Sequence, residues 1–257
     1  TSPTSRFPIG RSTSRAVFIS TSIGRLEFSE SGGVYTAEAG VFFSLEKDIP
    51  IRELLREECV RAAIDRLARA YRDDPDQPFT AVGHSRLVTN GSQLRNENNQ
   101  PVVKDGVVGI LNGIIVNDDA LWARHPEIRR TYDVDAEVML ALIRRHLESG
   151  WDVGTAISKT VAEAFGMVAA AYLFNDLDVL AVTTNNGSLY VLTNESDFLA
   201  FASEAHFLRV LAARMGLREE DGFLLHQIRP ATGYVLDLRQ FQLQTFACSD
   251  EPRRLSG

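Results

Sequence analysis

The sequence predicts an α+β fold in which two β-sheets pack together and helices cover their outer faces. Two observations carry this prediction: strand-like apolar runs occupy both ends of the chain, and two helical segments lie close together between them. No repeat and no strong linker divides the 257 residues, which are enough for one large domain. We therefore expect a flexible arm at residues 1–15, where Ser, Thr, Pro and Arg predominate, and a single domain at residues 16–257.

The first half of the chain is predicted to hold two strands, an amphipathic helix, a strand that enters a turn, a loop and a long apolar strand. In chain order these elements span 16–20, 40–44, Ile51–Tyr71, 79–88, 89–101 and 107–116. The helix follows from apolar residues at helical spacing, and Asp48 and Pro50 supply its start signal. The last strand is a near-continuous apolar run, which suits a strand covered on both faces.

The second half is predicted to hold two helices, three successive strands, a further helix and a closing hairpin. In chain order these elements span Ala136–Leu147, Val153–Phe165, 167–174, 179–184, 188–193, Phe201–Met215, 233–238 and 241–246. Turn residues at 175–178 and 185–187 separate the three strands. The hairpin is expected to turn around Arg239 and Gln240.

Composition excludes several classes of function. The chain has 34 acidic and 27 basic residues, a formal charge of −7, and no Lys/Arg-rich block, so we expect no nucleic-acid partner. Its two cysteines make neither a disulfide framework nor a zinc site, so we expect no metal, and they fit a reducing compartment such as the cytoplasm. No stretch approaches 18 consecutive apolar residues, so we expect no membrane span.

The Asn112–Gly113 pair interrupts the apolar run ILNGII. A buried strand rarely contains Asn-Gly, because both residues are poor strand formers. One interpretation is a hairpin turn, for which Asn-Gly is a favoured pair. The other is a site where a side-chain amide and a backbone N–H point at a ligand, as the two donors of an oxyanion hole do.

Two further segments contain residues suited to binding charged groups of a ligand. In GHSRLVTNG (83–91), Arg86 suits bidentate capture of a carboxylate, although an exposed strand arginine before a turn is the commoner case. In YDVDAEVML (132–140), Asp135 and Glu137 stand where a helix begins. Acidic residues there usually cap the helix, and the functional alternative is a carboxylate that binds a ligand ammonium group.

Taken together and in this order, these segments resemble the class II glutamine amidotransferase domain, as found in glucosamine-6-phosphate synthase and amidophosphoribosyltransferase. The resemblance rests on GHSRLVTNG, Gln100–Pro101, LNGIIVN and VDAEV, and it spans roughly residues 33–240. Further similar segments are AEAG (37–40), FGMVAAAYLF (165–174) and FASEAHFL (201–208).

The resemblance implies the N-terminal nucleophile hydrolase fold, a four-layer α/β/β/α sandwich of two antiparallel sheets, and it implies glutamine binding. Arg86 would bind the α-carboxylate of glutamine and Thr89 would help to position that end. Asp135 would accept the α-ammonium group. The Asn112 side chain and the Gly113 N–H would form the oxyanion hole for the amide carbonyl.

The nucleophile that the resemblance implies is a cysteine at the mature N-terminus, whose own α-amine is the general base. Spacing from residues 37–40 places the equivalent position near residues 6–10, where only Ile9 and Gly10 are similar to the family's start. Cys59 falls in the predicted amphipathic helix and Cys248 lies near the other end of the chain. Neither can be an N-terminal nucleophile.

Three explanations stay open. An upstream segment carries the cysteine, or the domain is a pseudoenzyme that keeps its glutamine-binding residues, or Thr1 is a hydroxyl nucleophile activated by its own amine. The third is disfavoured because no apolar strand directly follows Thr1. Whether the chain is an enzyme therefore depends on the position of the cysteine.

With a cysteine supplied, we expect a glutamine amidotransferase that hydrolyses glutamine to glutamate and ammonia. The ammonia would pass to an acceptor, for which a phosphosugar is one candidate, on a synthase domain or subunit. The alternative is a catalytically inactive domain that binds glutamine or serves as a scaffold or regulatory partner. A third hypothesis is another N-terminal nucleophile hydrolase that cleaves an unrelated amide. We expect no cofactor, and homo-oligomerisation stays open.

Overall fold

The computed structural model describes residues 16–20, 29–36, 41–47, 56–73, 79–86, 100–174 and 176–248. The strands within these ranges are β1 (Ala16–Ser20), β2 (Ser29–Thr36), β3 (Val41–Lys47), β4 (Phe79–Arg86), β5 (Val102–Lys104), β6 (Val107–Leu111), β7 (Ile114–Ile115), β8 (Gly166–Met167), β9 (Ala169–Phe174), β10 (Val179–Thr184), β11 (Tyr190–Thr193), β12 (Phe198–Ala202), β13 (Leu224–Gln227), β14 (Thr232–Asp237) and β15 (Gln242–Ala247). The α-helices are α1 (Glu58–Asp73), α2 (Asp118–Arg124), α3 (Ala136–Glu148), α4 (Val153–Glu163) and α5 (Ala205–Met215).

Most of the described strands belong to two large sheets. Sheet A has the order β13-β11-β12-β1-β4-β2-β3, and sheet B has the order β15-β14-β10-β9-β6-β5. Strands β7 and β8 form a separate two-stranded pair. Sheet B is antiparallel throughout its described strands. In sheet A, β1 runs parallel to both neighbours, β4 and β12, which corrects the expectation of two purely antiparallel sheets.

The two sheets stack face to face, and helices cover their outer faces. Successive side chains of a strand point to opposite faces. In β9, Leu173 packs with Leu199 of β12 in the core between the sheets, while its neighbour Tyr172 packs in the core that α3 and α4 cover. In β12, Ala200 points away from sheet B and packs with Leu208 of α5. The layers are therefore α, β, β and α, which confirms the predicted four-layer sandwich.

Burial on both faces explains why the central strands read as continuous apolar runs. All residues of β9 (AAAYLF) and of β12 (FLAFA) are buried, and so are all residues of β6 (VVGIL). A strand with one solvated face would instead alternate apolar and polar residues. The continuous pattern therefore identifies strands that lie inside the sandwich.

Several predicted elements are confirmed, and the boundaries of others differ. The strands at 16–20 and 179–184 and the β14–β15 hairpin around Arg239 and Gln240 are confirmed. Helix α1 begins at Glu58 rather than Ile51, because residues 56 and 57 form a turn and a bend. The predicted arm at 1–15 lies outside the described residues, as does most of the predicted loop at 89–101.

Three predictions in the second half of the chain are wrong in part. The helix expected at Phe201–Met215 begins only at Ala205, because Phe201 and Ala202 complete the unpredicted strand β12. The single strand expected at 167–174 is divided at Val168, whose backbone N–H bonds the side chain of Asn185 at 2.9 Å instead of continuing the ladder. Helix α4 ends at Glu163 rather than Phe165, because Ala164 is extended.

The start of α4 allows a stability prediction. Asp152 is its N-cap, and its carboxylate accepts hydrogen bonds from the Thr155 backbone N–H at 3.0 Å and from the Thr155 hydroxyl at 2.6 Å. These bonds, the one with the hydroxyl first, lower the pKa of Asp152. A carboxyl whose pKa is lowered by folding stabilises the protein above its unfolded pKa, and this contribution is lost on acidification.

We therefore expect Asp152→Ala to reduce the free energy of unfolding by about 1 kcal/mol at pH 7. The difference from the parent protein should narrow as the pH falls below about 4, the region of the unfolded Asp pKa. Urea denaturation at both pH values checks this, with Asp152→Asn as the control, because Asn caps a helix without a titrating charge. An alanine variant as stable as the parent at pH 7 would contradict the capping role.

Candidate functional site

The Asn112–Gly113 pair interrupts an antiparallel ladder without turning the chain. The ladder pairs β6 with β9 and continues in the same register where β7 pairs with β8. Between these segments, the Asn112 N–H donates to the Ala169 carbonyl at 2.8 Å, and the Ala169 N–H donates to the Asn112 carbonyl at 3.2 Å. The hairpin-turn interpretation is therefore wrong, because the chain runs on through both residues.

Gly113 is required here by a close approach of two backbones. A Cβ atom at this position would overlap the carbonyl oxygen of Met167 on the facing strand. Gly113 does not have a positive φ, so the requirement is steric rather than conformational. A glycine inside a strand pattern often marks such a close approach.

The backbone N–H of Gly113 lies between two N–H groups that are bonded by side chains. The Leu111 N–H donates to Oε1 of Gln100 at 2.6 Å, and the Ile115 N–H donates to Oδ2 of Asp135 at 2.8 Å. Alternate N–H groups of a strand point to the same edge, so all three face the same side. Among the described residues, the Gly113 N–H has no hydrogen-bond partner.

The Asn112 side chain lies on the face of sheet B that is turned toward sheet A. Asn112 is paired with Ala169, and Ala169 packs in the core between the two sheets together with Ile110. The side chain of Asn112 is only half-buried, and its amide donates no hydrogen bond to a described residue. Within the described part of the chain, neither the Asn112 side-chain amide nor the Gly113 N–H therefore has an acceptor.

Asp135 stands at the N-cap position of α3 but does not cap that helix. Its side chain makes no capping hydrogen bond and bonds the Ile115 N–H instead. Asp135 is 3% exposed. Ile115 is two residues beyond Gly113. At the ordinary rise of a strand, the hydrogen bond between Asp135 and Ile115 therefore lies about 7 Å along the strand from Gly113. The helix-cap interpretation of this acidic pair is wrong for Asp135.

Glu137 also turns away from its own helix. Its carboxylate accepts the backbone N–H groups of Thr131 and Tyr132 at 2.8 and 2.7 Å. It also pairs with the ammonium group of Lys104 at 3.1 Å. Sequence reasoning missed Lys104, for which the sequence offers only the signal of a lysine at the end of the short strand β5.

Gln100 and Asn185 hold the backbone on both sides of the Asn112–Gly113 pair. Gln100 is 5% exposed and bonds both the N–H and the carbonyl of Leu111, so its side chain replaces a strand partner. Asn185 accepts the Val168 N–H and donates to the Gly166 carbonyl at 2.8 Å. The predicted turn at 185–187 contains Asn185, but nothing in the sequence shows that its side chain reaches β8.

The structure brings three of the five predicted site residues together: Asn112, Gly113 and Asp135. Arg86 is the last residue of β4, where its backbone is paired with Ser29 of β2. Thr89 lies outside the described residues. The roles of Arg86 and Thr89 therefore stay predictions from the sequence.

Neither cysteine is placed as a nucleophile for this site. Cys248 is buried in the core that α3 and α4 cover, on the opposite face of sheet B from the Asn112 side chain. Burial raises the pKa of the Cys248 thiol, and its contact with the Thr183 hydroxyl at 3.2 Å lowers it to a smaller extent. Cys59 is exposed on α1.

The described part of the chain contains no cluster of His, Cys, Asp and Glu side chains that could hold a metal ion. None of the helices in that part is long and apolar enough to cross a membrane.

Comparison with known sequences identifies the family of this region. A model described as "Glutamine amidotransferase domain" matches residues 84–210, a range that includes Arg86, Asn112, Gly113 and Asp135. The chain is 32% identical over 94 residues to glutamine–fructose-6-phosphate aminotransferase (isomerizing) from Xanthomonas campestris pv. campestris, covering 36% of this chain and 15% of that protein. It is 25% identical over 159 residues to the protein of the same name from Gluconobacter oxydans, covering 61% of this chain and 26% of that protein. The matched region thus spans about a quarter or less of these relatives.

Comparison with solved structures supports the fold. Glutamine phosphoribosylpyrophosphate amidotransferase from B. subtilis, complexed with ADP and GMP, superimposes with a TM-score of 0.61 at 17% sequence identity. The superposition covers 88% of this chain and 44% of that chain. From the matching family model, the relatives and the four-layer sandwich, we conclude that this chain carries a class II glutamine amidotransferase domain with the N-terminal nucleophile hydrolase fold.

Proposed function

We propose that this domain binds glutamine and hydrolyses its side-chain amide to glutamate and ammonia, which a synthase domain or subunit then uses. The observation that carries the proposal is the Gly113 N–H, which has no partner among the described residues and belongs to the residue directly after Asn112. An amide carbonyl that becomes a tetrahedral oxyanion needs two such donors. The names of the relatives support glutamine as the nitrogen donor.

The head group of glutamine is bound by residues of opposite charge in this proposal. Asp135 accepts the α-ammonium group, Arg86 binds the α-carboxylate, and Thr89 helps to position that end. A zwitterion is oriented best when its two charges are held at separate points, because rotation of the substrate is then restricted. Bidentate pairing with a carboxylate is a geometry for which arginine is suited.

The reaction follows from attack of a cysteine thiolate on the side-chain amide. A carbon–sulfur bond forms, the amide oxygen becomes an oxyanion at Asn112 and Gly113, and the carbon–nitrogen bond breaks as ammonia leaves with a proton. Water then hydrolyses the thioester and releases glutamate. In this proposal the attacking cysteine is neither Cys59 nor Cys248, and the reducing cytoplasm keeps its thiol reduced.

The acceptor of the ammonia belongs to another domain or subunit in this proposal. A phosphosugar is one candidate, because two relatives are named for fructose 6-phosphate. The second candidate function is a non-catalytic domain that binds glutamine and regulates a partner. The positions of Cys59, exposed on α1, and of Cys248, on the helix side of sheet B, favour this alternative.

An ammonia-release assay with the full-length gene product tests the proposal. Release of ammonia and glutamate in equal amounts from L-glutamine supports hydrolysis. Glutamine binding without any ammonia release would support the regulatory alternative. A gene product that neither binds nor hydrolyses glutamine would contradict both.

Arg86→Ala should remove most of the thermal stabilisation that glutamine gives to the parent protein. A ligand that binds only the native state raises stability, by about 2.7 kcal/mol at a hundred times its dissociation constant. Removing the partner of the α-carboxylate should therefore remove most of this shift. Thermal unfolding over a graded series of L-glutamine concentrations measures it, with the exposed Arg214→Ala on α5 as the control. Equal stabilisation of the Arg86 variant would contradict its role.

A further inference from the structure

A buried ion pair joins the end of β5 to the first turn of α3, the helix that begins directly after Asp135. The ammonium group of Lys104 and the carboxylate of Glu137 are 3.1 Å apart, and their side chains are 10% and 0% exposed. Removing two charges from water is costly, and apolar residues of similar size are often as stable or more stable in such positions. Stability alone therefore does not explain why these two buried positions hold an ion pair.

The hydrogen bonds of the pair fasten one short segment to the protein. Besides Glu137, Lys104 donates to the Arg129 carbonyl at 2.7 Å and to the Thr131 hydroxyl at 3.0 Å, so all three of its donors are used. Glu137 accepts the backbone N–H groups of Thr131 and Tyr132. Residues 129–132 are thereby held between β5, which carries Lys104, and the first turn of α3.

This segment leads directly into Asp135. Before Asp135, the chain is held by the hydrogen bonds that the Thr131 and Tyr132 N–H groups donate to Glu137. After Asp135, it is held by Glu137 itself, so the same hydrogen bonds fix the backbone on both sides of Asp135. Its carboxylate reaches across to the Ile115 N–H at 2.8 Å. A carboxylate oxygen that must meet a ligand has to be held within about 0.5 Å of its productive position.

We propose that Lys104 and Glu137 are positioning residues that hold the Asp135 carboxylate for the α-ammonium group of the substrate and thereby select α-amino acids over their deaminated analogues. This inference rests on the proposed function of the site. Lys104 and Glu137 do not touch the ligand themselves. They act through residues 129–132 and the start of α3, so their effect should depend on whether the ligand carries an ammonium group.

Calorimetric binding of two ligands separates this role from a merely structural one. The ligands are L-glutamine and 4-carbamoylbutanoate, which is glutamine without its α-amino group. The parent protein should bind glutamine more tightly, because only glutamine reaches Asp135 with a charge. In Glu137→Gln and in Lys104→Met/Glu137→Gln, the ratio of the two dissociation constants should fall by about tenfold or more, as loss of a charge-assisted hydrogen bond predicts.

The double variant guards against misfolding, because it leaves no unpaired charge in the interior. Its affinity for 4-carbamoylbutanoate should stay close to that of the parent, which shows that the site is still formed. Glu148→Gln is the matched control for Glu137→Gln, since it makes the same change at an exposed position of the same helix. Lys159→Met on α4 is the control for Lys104→Met.

An unchanged ratio in the folded double variant would overturn the inference while leaving the proposed function intact. Equal weakening of both ligands would overturn it as well, because the effect would then be structural. If the parent protein itself shows no preference for glutamine, the role of Asp135 in the proposed function fails, and the inference fails with it. That last result is seen without any substitution, so the two failures are distinguishable.

Discussion

Gly113→Ala should reduce the free energy of unfolding by about 3 kcal/mol or more, at the upper end of the cost of inserting an atom into a packed interior. The added Cβ would overlap the carbonyl oxygen of Met167, which belongs to the backbone of the facing strand and cannot rotate away. One of the two strands must therefore move. Equilibrium urea denaturation measures the effect as a lower midpoint at an unchanged slope.

Gly150→Ala is an informative control for this variant. Gly150 lies between α3 and α4 with a φ of 88°, and no described atom lies within 4 Å of the point that a Cβ would occupy there. Alanine at this position should lower the free energy of unfolding only by the cost of holding its backbone in the left-handed region, about 1 to 2 kcal/mol. A Gly113 variant that is no less stable than the Gly150 variant would contradict the close approach of β7 and β8.

The layers of the fold were predictable because strands that are buried on both faces have a simple sequence pattern. Strands such as β9 and β6 consist of uninterrupted apolar residues, and the helices α3 and α4 have apolar residues at helical spacing. The start of α5 was not predictable in this way. Strand β12 is apolar and only Ser203 and Glu204 separate it from α5, so the pairing of β12 with β11 and β1 is needed to show where the strand ends.

The candidate site was predictable where the residue type itself is unusual for its position. Asn112 and Gly113 stand out because they interrupt an apolar strand, and Asp135 stands out in a family motif. Gln100 and Lys104 could not be given roles from the sequence, because each acts on residues that lie 11 or more positions away. Gln100 bonds Leu111 of β6, and Lys104 bonds residues between 129 and 137. The sequence does not show which of these distant residues the two side chains approach.

Asn112→Ala should lower kcat for glutamine hydrolysis by about 10²- to 10³-fold, the usual loss when one oxyanion donor is removed. The full-length gene product is the protein to assay, and ammonia release is the measurement. KM should change little, because the donor is needed more by the tetrahedral oxyanion than by the planar amide of the bound substrate. The residual activity would come from the Gly113 N–H, which the substitution leaves in place.

The control for Asn112→Ala is Gln244→Ala, which removes an amide from an exposed position of β15. Asn112 bonds Ala169 only through its backbone, so alanine keeps the ladder between β6 and β9, and the variant should unfold near the parent midpoint. A loss of kcat without a loss of stability would then belong to the chemistry. An unchanged kcat in the folded variant would remove Asn112 from the oxyanion hole, and a raised KM at unchanged kcat would assign it to substrate binding alone. Because the Asn112 amide and the Gly113 N–H come from adjacent residues, the Gly113→Ala variant should lower the same rate constant if enough of it folds to be assayed.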